Sequence, residues 1–393
     1  MKDDNIDTVN TTTYVNLNVN KSVSGRHELT STESMNIDVN VRQQKIEVKT
    51  TMVTTVTTTQ KPNPYAVLGR RCNLKRFFNM SYPNDTSNYL SPGEKRYIIY
   101  TCRGECGGLA DQFKGITASY GIAKRSGRQL RIQETVKCGI TTYLQPKQYD
   151  WTFRKNEVKK YKSTFCNTNN HSKTRRIKLN DYVLYLNESV IYLRTNRIYG
   201  KRDFEYRRLF RTTYNDLFDL KPEIKSELNL FRNTFVKKNK TVCAHLRVGK
   251  GPGFVDSKYN NLGNISEIWN FFSRYDTNGH VIYIATDSSV LREAARKRFP
   301  RRFIDMPGRV INTAFELDDE SCSAFRKLIL DFSFLASCDV LLLTFSDFGF
   351  HASLLRGSTD DQFCYQDGYV YPCPIYAIER KRSSEDMNPL LEV

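Results

Sequence analysis

Short apolar segments alternate with amphipathic ones along two stretches of this chain. In the first stretch, residues 95–103 are rich in aromatic and β-branched side chains, which predicts a strand. From Leu109 onward, apolar residues recur at helical spacing, and Gly127 stands where a helix would end. Residues 129–133 then predict a second strand. A strand, a helix and a strand within about forty residues predict a βαβ unit and a parallel sheet.

The C-terminal half repeats this alternation with longer apolar runs. Residues 280–287 predict a buried strand, and residues 288–300 predict a helix that begins at serine and ends at proline. Residues 325–335 have the spacing of an amphipathic helix, and residues 339–350 indicate a continuous apolar strand followed by a short helix. The chain is therefore predicted to be α/β, with two doubly wound units.

The segments between and before these units are less regular. Residues 134–204 show only strand-like material near 182–194, whereas helical spacing covers 209–218 and then continues from Pro222 to Phe235. The first 65 residues are rich in Thr and Asn and hold few large apolar side chains, which predicts a disordered stalk or linker. The predicted organisation is a stalk (1–65), an N-terminal α/β lobe (66–236), a C-terminal Rossmann-like lobe (237–380) and a polar tail (381–393).

The net charge is strongly positive and limits the classes of partner. The 393 residues carry a formal charge of +18. Such a surface attracts nucleic acid, anionic membranes or phosphate-bearing small substrates. The Lys and Arg residues are spread along the chain and no nucleic-acid-binding motif is present, so nucleic acid is not the expected partner.

Ten cysteines and eight glycosylation sequons favour an oxidising secretory lumen, with the Golgi as the expected compartment. No zinc-type cysteine spacing is present. The alternative is a cytosolic protein with free thiols. The polar start of the chain contains no apolar segment long enough for a membrane span, so an anchor could be missing from it. The sequons are Asn10, Asn20, Asn79, Asn84, Asn170, Asn187, Asn239 and Asn264.

Four predicted strand ends carry small or polar residues at the point where a helix or loop begins. They are CGGLADQ (106–112), HLRVG (245–249), ATDSS (285–289) and TFSDFG (344–349). Ligands of open α/β sheets bind outside the carboxyl ends of the strands. Each segment also has an ordinary explanation, and for Asp287 alone a helix N-cap is the simpler one. The presence of all four segments in one chain is harder to explain by such ordinary structural roles.

Together these segments resemble the superfamily of fucosyltransferases that use GDP-fucose, which includes α1,2-, α1,6- and protein O-fucosyltransferases. The likeness covers about residues 95–357. Two positions depart from the family pattern, Ala110 in place of a third glycine and Lys250 where many members carry Asp. The residues that match the donor-binding pattern are Gly107, Gly108, Asp111, Gln112, His245, Arg247, Gly249, Thr286, Asp287, Phe345 and Ser346.

The resemblance implies a GT-B architecture, with two Rossmann-type lobes and a donor cleft between them. It also implies an inverting transfer of fucose to a glycan or glycoprotein, with no metal or other cofactor. Arg247 and His245 are the expected catalytic residues. Arg247 would stabilise the charge that grows on the β-phosphate, while His245 and Asp287 position the nucleotide. The general base that would activate the acceptor hydroxyl remains open among Asp111, Asp256 and Glu267.

Two other classes of function stay open at this point. The first is a catalytically impaired fucosyltransferase-like protein that binds a glycan or a nucleotide, for which Ala110 and Lys250 are the support. The second is a basic cytosolic protein that binds nucleotides or nucleic acid. For His245, the alternative to a catalytic role is that of a buried core histidine that is hydrogen-bonded within the protein.

Overall fold

A computed structural model describes residues 70–71, 95–102, 107–134, 138–167, 183, 186–195, 203–251, 254–255, 262, 265–309 and 321–374. All of them belong to one compact unit that begins at Tyr65. The stalk predicted over 1–65 and the tail predicted over 381–393 lie outside the described residues. The lobe boundaries at 236 and 380 stay predictions.

The first sheet has five strands, all parallel. Their order is β1 (Arg70–Arg71), β5 (Ser163–Asn167), β6 (Val190–Arg194), β2 (Tyr97–Cys102) and β3 (Gln129–Glu134). The predicted βαβ unit is confirmed, because helix α1 (Leu109–Arg125) connects β2 to β3 and packs against both. Parallel strands are covered on both faces, which explains their continuous apolar character.

The second sheet has six strands, of which the first five are parallel, and it forms the centre of the C-terminal half. Its order is β12 (Phe303–Ile304), β11 (His280–Thr286), β8 (Lys240–Leu246), β13 (Val340–Leu343), β14 (Gln362–Gln366) and β15 (Tyr369–Pro372). Only the pair β14–β15 is antiparallel. The predicted strand over 339–350 is too long, because β13 ends at Leu343 and a helix begins at Asp347.

The remaining helices cover the sheets or lie between them. The longer ones are α4 (Asp203–Leu217), α5 (Pro222–Phe231), α6 (Ser266–Ser273), α7 (Ser289–Arg298), α8 (Ser321–Leu335) and α9 (Asp347–Arg356). Two single turns are α2 (Ile140–Tyr143) and α3 (Lys155–Val158). Two small antiparallel pairs are also present, β4 (Leu144–Pro146) with β7 (Phe218–Leu220), and β9 (Lys250–Gly251) with β10 (Phe254–Val255).

Two helix ends differ from the sequence expectation. Phe218 begins strand β7 instead of ending a helix. Phe235 lies in a π-helical turn, Arg232–Val236, and is 51% exposed, so it is not part of the buried stripe of α5. In both places, only the apolar spacing predicts that the residue belongs to the helix. Spacing does not indicate where the backbone hydrogen-bond pattern changes at the end of a helix.

One apolar core runs from the first sheet to the second. It includes Ile98 and Leu130 of the first sheet and Tyr283 and Leu341 of the second. Helices α1 and α8 meet within it, where the rings of Phe113 and Phe332 lie 5.1 Å apart. The outer face of each sheet has a separate, smaller cluster.

Three disulfides are formed among the described residues, Cys138–Cys322, Cys243–Cys338 and Cys364–Cys373. The first joins the loop after β3 to helix α8, and therefore connects the two halves of the chain. Cys322, in the first turn of α8, and Cys338, shortly after its last residue, do not pair with each other. Cys166 is also disulfide-bonded.

Candidate functional site

The carboxyl ends of three adjacent strands meet at one edge of the second sheet. Strand β8 lies between β11 and β13, and all three are parallel. Leu246 is level with Thr286, and His245 is level with Leu343. The predicted site segments after these strands are consequently neighbours, although about forty to sixty residues separate each from the next along the chain.

The carboxylate of Asp287 anchors the loop that follows β8. Its two oxygens accept hydrogen bonds from the backbone N–H groups of Val248 (2.7 Å) and Gly249 (2.8 Å). One oxygen also pairs with a guanidinium nitrogen of Arg247 at 2.7 Å. The Asp287 side chain is only 6% exposed. Helix-capping is therefore not its role; Ser288 caps α7 by accepting from the N–H of Leu291.

Thr344 holds the same loop from the other side, although no motif in the sequence indicates it. Its hydroxyl oxygen accepts a hydrogen bond from the N–H of Arg247 (2.8 Å) and donates one to the carbonyl of His245 (3.0 Å). Thr344 is buried. Its only indication in the sequence is its place in the segment TFSDFG, next to Phe345 and Ser346. Of these three residues, Thr344 is the one that holds the backbone of Arg247.

His245 lies beneath the loop and not on its surface. It is 6% exposed, and its ring packs on Phe348 with ring centroids 4.9 Å apart. Gly349 makes room for it, because a Cβ there would lie 2.8 Å from Nδ1 of His245. Burial, assisted by the charge of Arg247, lowers the pKa of His245 to about 3. The imidazole is neutral at physiological pH.

Ser346 begins helix α9 as its N-cap. Its hydroxyl oxygen accepts a hydrogen bond from the N–H of Phe348 at 3.3 Å. Phe345 and Ser346 are both partly exposed at the end of β13. Thr286, the last residue of β11, accepts a hydrogen bond from the N–H of Ser288. A contact of Thr286, Phe345 or Ser346 with a donor substrate stays a prediction.

The glycine-rich turn after β2 leads directly into α1. Gly107 has a φ of +72°, a conformation that glycine adopts without strain, and Gly108 is the residue before the first helical turn. A Cβ at Gly107 would lie 2.3 Å from an oxygen of Asp111, so the carboxylate folds back over the turn. Ala110 and Gln112 are buried in the first turn of the helix. Alanine suits that helical position, so the missing third glycine causes no strain.

Lys114 connects this turn to the second sheet. Its ammonium nitrogen lies 2.5 Å from Oδ1 of Asp111 and 2.7 Å from Oδ2 of Asp347. Asp347 is the first residue of α9 and directly follows Ser346. The segments of all four predicted strand ends are thereby linked through polar contacts. No local pattern in the sequence indicates this role of Lys114, because Asp347 is 233 positions away.

The three candidates for the general base fare differently. Asp111 is engaged by Lys114, as described above. Glu267 lies in the first turn of α6 and accepts a hydrogen bond from the side-chain amide of Asn270 at 3.3 Å. Asp256 and the side chain of Lys250 lie outside the described residues. Within the described part of the chain, no group of three or more His, Cys, Asp or Glu side chains could hold a metal ion, and no helix is both long and apolar enough to cross a bilayer.

Comparison with known proteins gives a result at the level of structure. No family model and no curated protein sequence matches the chain. The crystal structure of NodZ α-1,6-fucosyltransferase soaked with GDP-fucose superimposes with a TM-score of 0.51 at 13% identity, covering 71% of this chain and 99% of NodZ. This chain has a GDP-fucose fucosyltransferase-like fold.

Two further structures are similar at slightly lower scores. Fucosyltransferase NodZ from Bradyrhizobium has a TM-score of 0.49 at 14% identity, covering 72% of this chain and 99% of that one. A variant of Arabidopsis thaliana FUT1 in complex with GDP has a TM-score of 0.49 at 11% identity, covering 74% of this chain and 73% of that one. The α/β class expected from the sequence is confirmed by the two sheets of parallel strands, and it agrees with the fold of the NodZ structure soaked with GDP-fucose.

Proposed function

We propose that this chain is an inverting, metal-independent glycosyltransferase that moves fucose from GDP-fucose to a hydroxyl of a glycan or glycoprotein. The observation that carries the proposal is the support of Arg247 at the carboxyl edge of the second sheet. Asp287 holds its guanidinium, and Thr344 holds its backbone. The fold of NodZ, whose crystals were soaked with GDP-fucose, supports the choice of donor.

Arg247 would supply the main electrostatic stabilisation. Cleavage of the bond between fucose and phosphate places negative charge on the β-phosphate. A guanidinium that is already oriented can stabilise that charge without reorganising. The side chain of Arg247 is 22% exposed, which leaves it accessible to a ligand at this edge. A preorganised donor of this kind contributes about 3–4 kcal/mol to the transition state.

The supporting residues would divide the remaining tasks. The neutral, buried His245 supports the loop of Arg247 and is poorly suited to proton transfer at neutral pH, because its pKa is lowered to about 3. Backbone N–H groups around Gly107 and Gly108 and the Ser346 turn would face the diphosphate. The two helices that begin there favour an anion at their N-termini.

The disulfides support a protein that matures in the secretory lumen, and we propose the Golgi as its place of action. The second candidate function is a glycan- or nucleotide-binding protein with impaired catalysis. It is favoured by the pairing of Asp111 with Lys114, because this pairing leaves the described residues near the turn without an evident base.

The first prediction concerns Arg247. We expect the full chain to release GDP from GDP-fucose when a mixed pool of glycans and glycopeptides is present, with a fucose-sized mass gain on one component. The Arg247→Ala variant should lose about 100-fold or more in turnover, because one preorganised donor is removed. Arg247→Lys keeps the positive charge but lacks the planar guanidinium with its paired N–H donors, so it should retain only part of the wild-type turnover.

The outcomes separate the two candidate functions. Turnover by Arg247→Ala close to that of the wild type would rule out the role of Arg247. Binding of GDP-fucose without release, in every acceptor pool, would favour the binding protein. A melting temperature that GDP, UDP and ADP raise equally would argue against a guanine-nucleotide site altogether.

A further inference from the structure

Lys114 forms a polar bridge between two elements that start at different sheets. Helix α1 follows β2 of the first sheet, and helix α9 follows β13 of the second. The ammonium group of Lys114 contacts a carboxylate in the first turn of each helix, Asp111 at 2.5 Å and Asp347 at 2.7 Å. The side chain of Lys114 is 16% exposed, whereas those of Asp111 and Asp347 are 33% and 30% exposed. The ion pairs are therefore only partly screened by water.

The bridge continues into a third helix. The ring nitrogen Nδ1 of His351, in α9, lies 2.5 Å from the backbone carbonyl of Asp347. The other ring nitrogen of His351 contacts the hydroxyl of Tyr206 in α4. The ring of Phe210, also in α4, packs edge-on against His351 with centroids 4.6 Å apart. The first turn of α9 is thus held from two directions, by α1 through Lys114 and by α4 through His351.

The charges at this place are unusual for an anion site. Two carboxylates stand in the first turns of the two helices whose N-termini would face a diphosphate. Carboxylates there satisfy the helix dipoles and repel phosphate. An ammonium group between them offsets this repulsion and keeps both carboxylates turned toward itself. Without Lys114, the two carboxylates would repel a bound diphosphate, and they would no longer be held away from it.

We propose that Lys114 is a positioning residue that keeps the Gly107–Gly108 turn and the Ser346–Asp347 turn together as one preformed cradle for the diphosphate of the donor. This inference rests on the proposed function, because it assumes that the donor binds between these turns. It assigns a role in donor binding to a residue outside the strand-end motifs, and none in the chemical step.

The test compares Lys114→Met, which keeps the length of the side chain and removes its charge, with Lys114→Arg, which keeps the charge. Lys124→Met is a matched control. Lys124 lies in the last turn of the same helix and pairs with Asp216 of α4 at 3.1 Å, at the end remote from the turn. Hydrogen–deuterium exchange of the unliganded proteins and calorimetric titration with GDP and with GDP-fucose are the two measurements.

We expect Lys114→Met to increase amide exchange in both turns together and to raise the Kd of GDP and of GDP-fucose about tenfold. The KM for GDP-fucose should rise by a similar factor with little change in kcat. Lys114→Arg should restore most of the affinity, and Lys124→Met should behave as the wild type. Adding Asp347→Asn to Lys114→Met should recover part of the lost affinity, because it removes a carboxylate that repels the diphosphate once Lys114 no longer offsets its charge.

Each arm can overturn a separate statement. Unchanged exchange in the 344–350 segment of Lys114→Met would show that the bridge does not hold the turns together. Increased exchange with an unchanged Kd would contradict the role in donor binding. If the wild type itself binds neither GDP nor GDP-fucose, the proposed function and the role in donor binding both fail, and the exchange measurement still decides whether the bridge holds the turns.

Discussion

At the scale of single residues, the site is organised by two polar side chains that face Arg247 from opposite sides. Asp287 binds the guanidinium and the two backbone N–H groups that follow it, and Thr344 binds the backbone N–H of Arg247 itself. The position of the guanidinium therefore depends on the strand ends of β11 and β13 as much as on its own strand. Two side chains outside strand β8 thus fix the position of Arg247.

Thr344 provides the sharpest test at this scale. Thr344→Val keeps the shape of the side chain but removes the hydroxyl that accepts a hydrogen bond from the N–H of Arg247, at a cost of about 1–3 kcal/mol. The carbonyl of His245 loses the hydroxyl as a donor but still accepts from the backbone N–H of residue 344. We expect kcat for GDP release to fall more than the melting temperature alone would explain. Thr344→Ser, which keeps the hydroxyl, should retain most of the activity. A serine variant as impaired as the valine variant would mean that the methyl group, and thus packing, is what matters.

At the scale of elements, helix α9 is packed through two buried histidines. His351 lies within the helix against α4, and His245 of β8 lies beneath its first turn, against Phe348 and Gly349. Burial lowers the pKa of each to about 3, assisted for His245 by Arg247 and for His351 by Lys114. Both imidazoles are neutral in the folded state, whereas in the unfolded chain they take up protons near pH 6.5.

This packing predicts that the protein becomes less stable as the pH falls through 6.5. A lowered pKa in the folded state means that the unfolded chain binds more protons between pH 6.5 and 3, so acid favours unfolding in that window. Between pH 7.5 and 5.5, each histidine should lower the free energy of unfolding by roughly 1.4 kcal/mol. This pH range lies above the one in which most carboxylates titrate. Urea unfolding at several pH values measures this, and His351→Asn should flatten the slope. An equally steep slope in that variant would exclude His351 as its source.

At the scale of the whole molecule, the two halves are joined by a continuous core, by Lys114 and by the Cys138–Cys322 disulfide. This disulfide spans 184 residues of sequence, whereas Cys364–Cys373 spans nine within one hairpin. In addition, the hydroxyl of Tyr143 donates to the carbonyl of Cys322, and its ring stacks on Phe325. The connection between the halves is thus covalent as well as apolar.

The difference in span predicts different losses of stability. A long closed loop restricts the unfolded chain more than a short one, so removing Cys138–Cys322 with two serines should cost about 5 kcal/mol. The same change at Cys364 and Cys373 should cost about 3 kcal/mol and serves as the control. Guanidinium unfolding of the two double variants measures the difference. A larger loss for the hairpin pair would show that local packing, and not loop closure, dominates.

Local sequence patterns are sufficient to identify most of the elements and the strand ends that carry polar groups. Apolar runs and helical spacing located β2, α1, β3, β11 and α8, since these patterns report which face of a short segment is buried. The sequence located β5, β6 and the boundary between β13 and α9 poorly, because their limits depend on partners elsewhere in the chain. The segments around Gly107, Arg247, Asp287 and Ser346 were recognised from local patterns alone.

The contacts among these groups depend on how the chain folds and cannot be read from local patterns. Asp287 proved to be an anchor for residues 248–249, His245 a buried support, and Ser346 a helix cap. Thr344 and Lys114 were missed because a lone Thr or Lys has no pattern of its own, and their partners lie about a hundred and more than two hundred positions away. Hydrogen bonds and ion pairs act over a few ångströms of space, and spacing along the chain does not record that distance.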